Sequence, residues 1–249
     1  MTDVVASASG LTADQLHRVL ERLQCQRAER RGRQWRASLR RRVLIACTSL
    51  RTNLTMRELV VMFAASKSQV HRIIADLAPR LAALLDHTVD RDRRWTWIVD
   101  GTLVPTRDHA TAAKSKNYRW SCNAQLLVRA TDLRVIAAVG GGPGNRNDRV
   151  HYRGSMIEAL CRQHRRVLAD GGYRGISELR TPRFVCNRIV RDQTWRRHRL
   201  RRARVEHAIA RLKDWRVLRD HRRRGCQLQL TLRAVSLLHN LKIEIRDYS

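Results

Sequence analysis

The hydrophobic period of this chain changes at one polar stretch, DHTVDRDRR from Asp86 to Arg94, and that change limits the folds open to it. Before it, apolar residues recur at three- and four-residue offsets, the repeat of helices lying on a core. After it they alternate, the repeat of strands. The pattern predicts two units within 249 residues, a helical one over 1–89 and an α/β one over 90–249.

In the first unit, TADQLHRVLERLQ opens with Thr12 and Gln15 at capping-box spacing and continues with Leu16, Val19, Leu20 and Leu23 on one face. RASLRRRVLIACTSL gathers Leu39, Val43, Leu44, Ala46 and Cys47 in the same way. In the stretch from Leu54 to Leu85, Thr55/Glu58 and Ser66/Gln69 form two further boxes, separated by a short helix and a break at Ala64-Ala65-Ser66. Two helices joined by so tight a turn predict a helix-turn-helix over about 55–78. Val70, Ile73, Ile74 and Leu77 face inward, which leaves Lys67, Ser68, Gln69, His71 and Arg72 where a recognition helix meets base edges and phosphates. An ordinary helical hairpin would show the same pattern, and the charge of the chain favours the DNA-reading version.

That charge is +29, from 51 Lys and Arg against 22 Asp and Glu. Between Arg183 and Arg224 there are 16 basic residues against four acids, a local excess of +12. Such density calls for a polyanionic partner, nucleic acid first, bound through phosphates and weakened by salt. A membrane partner is excluded on two counts. The longest apolar run, Leu59 to Ala65, is too short to cross a bilayer, and the basic runs lack the amphipathic pattern of an interfacial helix. MTDVVASASG has neither the basic nor the apolar part of a secretory signal, so a cytoplasmic location is expected. Six cysteines without CxxC or CxxH spacing predict free, mostly buried thiols and no zinc.

In the second unit, RWTWIVDGTLVPT alternates Trp95, Trp97 and Val99 against Thr96, Ile98 and Asp100. NYRWSCNAQLLVRAT and LRVIAAVGGG predict two more strands, turning at Thr131-Asp132, in an antiparallel meander. DRVHYRGSMIEALCRQH predicts a helix, RRVLADGGYRG a short buried strand ending at Asp170, and FVCNRIV a fifth strand. Two helices follow, one through Glu206 and one through LQLTLRAVSLLHNLKIEI. The order is βββαβ plus helices, an α/β layer architecture.

Two of these strands end in a carboxylate where the chain must turn: Asp100 before Gly-Thr and Asp170 before Gly-Gly. Ligands collect beyond the strand ends of open α/β sheets. A single such aspartate is usually a turn-former, but two on strands that could be neighbours suggest a metal site. Carboxylates without histidine or thiol select a hard ion such as Mg²⁺ or Mn²⁺. Glu206 is ambiguous. Arg202 at i−4 and Lys213 at i+7 share its helix face, and a plain Arg202–Glu206 ion pair, worth about 0.3–0.5 kcal/mol if exposed, explains it as well.

These residues together resemble the bacterial insertion-sequence transposases of the DDE class, in the branch related to Harbinger-type transposases, over nearly the whole chain. Arg202-x3-Glu206-x6-Lys213 fits that family's Tyr-x2-Arg-x3-Glu-x6-Lys pattern, with Arg199 at the tyrosine position. VDGT at Asp100 and ADGGYRG at Asp170 match the segments bearing its two aspartates. GGGPGNRND resembles its Pro-Gly…His-Asp segment, with Asn147 for histidine and Asp148 retained. The resemblance implies an RNase H-like catalytic domain preceded by an all-α helix-turn-helix domain. It implies two divalent ions held by Asp100, Asp170 and Glu206, with Asp100 shared between them. It also implies end cleavage and strand transfer of double-stranded DNA carrying terminal inverted repeats, by at least a homodimer at the bacterial nucleoid. Arg202 and Lys213 would grip phosphates near the cut. The alternatives are a non-catalytic, sequence-specific DNA-binding regulator and an RNA-directed nuclease on the same fold. Intact Asp100, Asp170 and Glu206 favour the enzyme, and the helix-turn-helix favours duplex DNA.

Overall fold

A computed structural model describes residues 7–26, 34–85, 94–114 and 119–246. Most of the polar stretch that divides the two periods, and the Asn117-Tyr118 start of one expected strand, lie outside them.

After a helical segment at residues 7–9 come four helices: α1 (Ala13–Cys25), α2 (Leu39–Thr52), α3 (Met56–Phe63) and α4 (Lys67–Ala83). Reciprocal capping boxes start α1 at Thr12 and α3 at Thr55, each side chain taking the N3 amide while Gln15 or Glu58 returns the bond. At Ser66 only half of the expected box forms: Ser66 Oγ accepts from Gln69 N at 3.2 Å. Between α3 and α4 the chain turns at Ala64 in the left-handed region, φ 42°, so α3 stops at Phe63 and α4 starts after three intervening residues, at Lys67. Val70, Ile73, Ile74 and Leu77 are buried as predicted, while Lys67, Ser68, His71 and Arg72 are exposed and Gln69 is half-buried.

The α/β part is a mixed sheet. Strand β1 (Trp97–Pro105) pairs antiparallel with β3 (Trp120–Arg129), and β3 with β4 (Val135–Pro143); a two-residue β2 (Ala113–Lys114) also pairs with β3. On its other edge β1 pairs in parallel with β5 (Val167–Leu168), which pairs in parallel with β6 (Leu179–Arg180). The sequence pattern missed β2, too short to show a period. The predicted helix after β4 is broken into α5 (Asp148–Tyr152) and α6 (Met156–Arg162), because Gly154 takes φ 72° and Ser155 caps a new start. FVCNRIV is not the fifth strand of the sheet. It is a separate hairpin, β7 (Phe184–Val185) and β8 (Arg188–Ile189), turned by Cys186 and Asn187 at positive φ. The strand that joins the sheet there is Leu179–Arg180, too short to show alternation. Helices α7 (Gln193–Lys213) and α8 (Gln227–Arg246) complete the chain. The mixed sheet and its βββαβ order are consistent with an RNase H-like domain.

Helices cover both faces of the sheet. On one, Trp97, Val99 and Leu127 pack with Tyr152, Ile157 and Cys161 of α5 and α6. On the other, Ile98, Val104 and Leu126 meet Val205, Ala208 and Leu212 of α7 and Leu232 and Leu238 of α8. That second core continues without a break into Leu59, Phe63, Ile73 and Leu77, so α8 lies between the sheet and the four opening helices. Polar ties follow the same seam: Glu244 of α8 bonds Arg22 at 2.8 Å and Arg134 at 2.9 Å. The six cysteines are free, as expected, but Cys25, Cys186 and Cys226 are exposed, because they sit at a helix end, a hairpin turn and a loop.

α8 also protects the outer edge of β4. Asn240 Oδ1 accepts from Val135 N and its Nδ2 donates to Val135 O, both at 2.8 Å, and Gln229 treats Gly140 N and Ala138 O likewise. Side-chain amides thus stand in for a further strand. Replacing Asn240 by Ala strands a buried amide and a buried carbonyl, and is expected to destabilise the protein by about 2–4 kcal/mol. A urea denaturation midpoint compared with that of the wild type measures this.

Candidate active site

The site grows from the β1–β5 pairing. Trp97 lies opposite Val167 and Ile98 opposite Leu168 in parallel register, so two residues further on Asp100, still within β1, and Asp170, just past β5, come side by side. The fully buried Ile98 and Val99 fix the height at which Asp100 emerges. Its Oδ1 accepts from Gly101 N at 2.9 Å. Asp170 caps a 3₁₀ turn, Gly171–Tyr173, by accepting from Gly172 N at 2.9 Å. The strand expected to end at Asp100 does not end there: pairing with β3 keeps the chain extended through Asp100, opposite Leu126, as far as Pro105. β5 stops at Leu168, and it is the β1–β5 register that brings the two aspartates together.

Glu206 arrives from the other direction. Val205, Ala208 and Leu212 seat α7 on the sheet, which sets Glu206 one position beyond the apolar stripe and leaves its side chain largely exposed. Arg202, one turn earlier, does more than the ion pair expected of it. Its Nη2 donates to Glu206 Oε1 at 2.5 Å while its Nη1 donates to Asp100 Oδ2 at 2.9 Å. The guanidinium thus joins the first and third of the expected carboxylates instead of facing outward. The contact to Asp100 crosses between β1 and α7 and has no signature in helix spacing. Among the described residues, no three His, Cys, Asp or Glu side chains converge closely enough to hold an ion as they stand.

Electrostatics mark the cluster all the same. Asp100 is pushed up from 3.8 to about 6, chiefly by burial, with Asp170 and Asp148 adding repulsion and Arg202 and the Gly101 amide opposing it. Asp148, the first residue of α5, is also pushed up, by burial and by Asp170, against a hydrogen bond from Asn123. Tyr173 is raised chiefly by burial and further by the charges of all three aspartates. An all-carboxylate donor set with repulsion of this kind is chemically suited to a hard divalent cation.

A polar network behind the aspartates was not anticipated. Asn123 and Gln125 of β3 are nearly fully buried. Asn123 Nδ2 donates to Asp148 Oδ1, and Gln125 Nε2 reaches Asp148 O at 2.5 Å and Tyr173 Oη at 3.2 Å. The available signal was the polar residues at alternate positions, Ser121, Asn123 and Gln125, on an otherwise apolar central strand. Asn147, where the family resemblance expects histidine, caps α5 through Oδ1 to Arg149 N at 2.9 Å. Arg199, at the tyrosine position, lies over the Trp195 ring at 5.3 Å.

Lys213, at the end of α7, is half-buried and its amine is pushed down by burial and then by Arg219. With Arg119, Arg219, Ser121, Leu103, Pro105 and Leu218 it lines a cleft of about 600 Å³ beyond the end of the aspartate-bearing strand. Lys67, Ser68, Gln69, His71 and Arg72 stand apart, on the opening turns of α4; Arg72 lies over the Trp35 ring at 5.7 Å.

A mixed sheet with one aspartate within β1, another just past the neighbouring β5, and an arginine-rich helix bonded to the first defines the class: a DNA-processing domain of the DDE transposases. The chain belongs to the family described as Transposase DDE domain, whose model matches residues 91–241. It is 39% identical over 251 residues to a protein of Streptomyces albus G assigned as the transposase for insertion sequence element IS112, covering 96% of this chain and 94% of that relative. No solved structure matches it significantly. No helix among the described residues is long and apolar enough to cross a membrane.

The raised Asp100 value has a consequence for stability. The folded-state value lies above the ordinary one, so ionising this carboxyl opposes folding. The penalty is absent below about pH 4, grows as pH rises, and is complete above about pH 6. In a chelating buffer Asp100→Asn is expected to be more stable than wild type at pH 8, by on the order of 2 kcal/mol, and equal to it near pH 4. Calorimetry at the two pH values checks this. A variant less stable at pH 8 would mean that the Arg202 pairing outweighs burial and repulsion.

Proposed function

We propose that this protein is a catalytically competent insertion-sequence transposase that cuts its element's ends and joins them to target DNA with divalent metal ions, Mg²⁺ or Mn²⁺. The observation that carries the reading is the side-by-side emergence of Asp100 and Asp170 beneath the helix that bears Glu206. These three carboxylates would hold the ions. Bound there, a pair of divalent ions would supply an activated water or DNA 3′-hydroxyl and would stabilise the leaving oxygen. A non-catalytic regulator would not need a repelling pair of partly buried aspartates side by side on neighbouring strands.

The chain's own groups divide the remaining work. Ile98, Val99 and the β5 pairing fix Asp100 and Asp170 in height and separation. Arg202 orients Asp100 and Glu206 toward each other by bonding both; the phosphate contact expected of it from the sequence would require it to turn away from them. Lys213 is better placed for a phosphate, since it lines an open cleft with Arg119 and Arg219. We assign α3, the Ala64 turn and α4 to a helix-turn-helix that places Lys67, Ser68, Gln69, His71 and Arg72 in a major groove of the element's terminal repeats. The Arg202-x3-Glu206-x6-Lys213 spacing supports the Harbinger-related branch. Joining two ends requires at least a dimer on DNA.

Two measurements test this. Cleavage of DNA carrying the element's ends is expected with Mg²⁺ or Mn²⁺ and not with a chelator. Asp100→Asn, Asp170→Asn and Glu206→Gln should each lower the rate by at least about 100-fold, a loss typical of removing a main stabilising group; variants that cut at the wild-type rate would refute the assignment. Separately, replacing Lys67 and Arg72 by Ala should weaken binding to end DNA and reduce the slope of log affinity against log salt by about two.

A further inference from the structure

The Asp148 carboxylate has an unusual seat. It occupies the space where a side chain on Gly101 would be: a Cβ built there would lie 2.2 Å from Asp148 Oδ1 and 2.6 Å from its Cγ. No residue other than glycine fits beside Asp100 while Asp148 stays where it is, since the contact is to a carboxylate held by α5 and by Asn123. The DG of the VDGT segment is therefore explained by close approach of a third aspartate; Gly101 does not have a positive φ.

Asn123 supplies the independent observation. Its side chain is 4% exposed, and while Nδ2 donates to Asp148, Oδ1 is buried without any hydrogen-bond partner. A buried amide oxygen left unpaired beside a carboxylate cluster carries a desolvation cost with no return in the protein itself. It is a ready acceptor for an ion's bound water. The backbone of Asp148 is held as firmly, since Gln125 Nε2 donates to its carbonyl at 2.5 Å. These contacts fix a negatively charged group against Gly101, the residue that follows Asp100 in β1.

We propose that Asp148, positioned by Asn123 and admitted by Gly101, is a fourth carboxylate of the metal-binding set, serving the divalent ion that Asp100 holds. This rests on the reading of Asp100 and Asp170 as ion-binding residues. It gives a task to the acid of the GGGPGNRND segment and explains why β3, buried over its eight inner residues, carries polar residues at 123 and 125.

The test is Mn²⁺ binding to the full-length protein, followed by electron paramagnetic resonance of the free ion, for wild type, Asp148→Asn and Asp100→Asn, with the thermal unfolding midpoint recorded in chelator. Asp148→Asn keeps the shape and the bond from Asn123, and is expected to bind Mn²⁺ at least about tenfold more weakly with an unfolding midpoint no lower than wild type. A folded Asp148→Asn with wild-type Mn²⁺ affinity overturns the proposal. If Asp148→Asn does not fold, Asn123→Ser is measured instead, and unchanged Mn²⁺ affinity in it overturns the proposal equally. Asp100→Asn separates the two readings. If it also leaves Mn²⁺ binding unchanged, the assignment of Asp100 fails. If it abolishes binding while Asp148→Asn does not, only the role of Asp148 fails.

Discussion

The pairing of β1 with β5 is short, Trp97 and Ile98 against Val167 and Leu168, yet the rest of the functional architecture depends on it. Parallel pairing requires a crossover, here the chain from β2 through α6, and it makes the two strands run in the same direction. Two carboxylates that are 70 positions apart in the chain therefore emerge together. An antiparallel pairing of the same strands would have sent Asp100 and Asp170 to opposite ends of the sheet. The cost of this juxtaposition is repulsion in a partly buried setting, visible in the upward push on Asp100 and Asp148.

The apolar frame bears that cost. Two cores grip the sheet, and the larger runs from the strands through α8 into the four opening helices. The helix that carries Glu206 is anchored by only three buried residues, Val205, Ala208 and Leu212, in its second half. Its first half holds most of its arginines and is largely exposed. The division suits a helix whose one end fixes a carboxylate and whose other end meets a polyanion. Arg202 sits at the boundary and belongs to the carboxylates by its bonds to Asp100 and Glu206.

Much of the local structure was legible in the residues. The boxes at Thr12 and Thr55, the buried face of α4 and the three-strand meander follow from capping chemistry and period, which act over a few neighbouring positions. Where reading failed, the elements were too short for a period to register, as with β2 and β6, or a positive φ intervened, as at Gly154 and in the Cys186-Asn187 turn. Of the candidate site, Asp100, Asp170 and Glu206 could be picked out, and the Arg202–Glu206 pair could be foreseen. The bond from Arg202 to Asp100, the lodging of Asp148 against Gly101 and the amides of Asn123 and Gln125 behind it could not.

The sequence by itself determined that the chain is strongly basic and passes from a helical to a strand-like hydrophobic period, and its motifs pointed to the DDE transposases. Those properties reside in charge, periodicity and spacing, which are written along the chain. Only the tertiary structure decided which carboxylates are neighbours and what stands between them. Strand register, crossover direction and the seating of α7 on the sheet depend on contacts between residues far apart in sequence. They place Asp170 beside Asp100, Arg202 between Asp100 and Glu206, and Asp148 in the space that Gly101 leaves open.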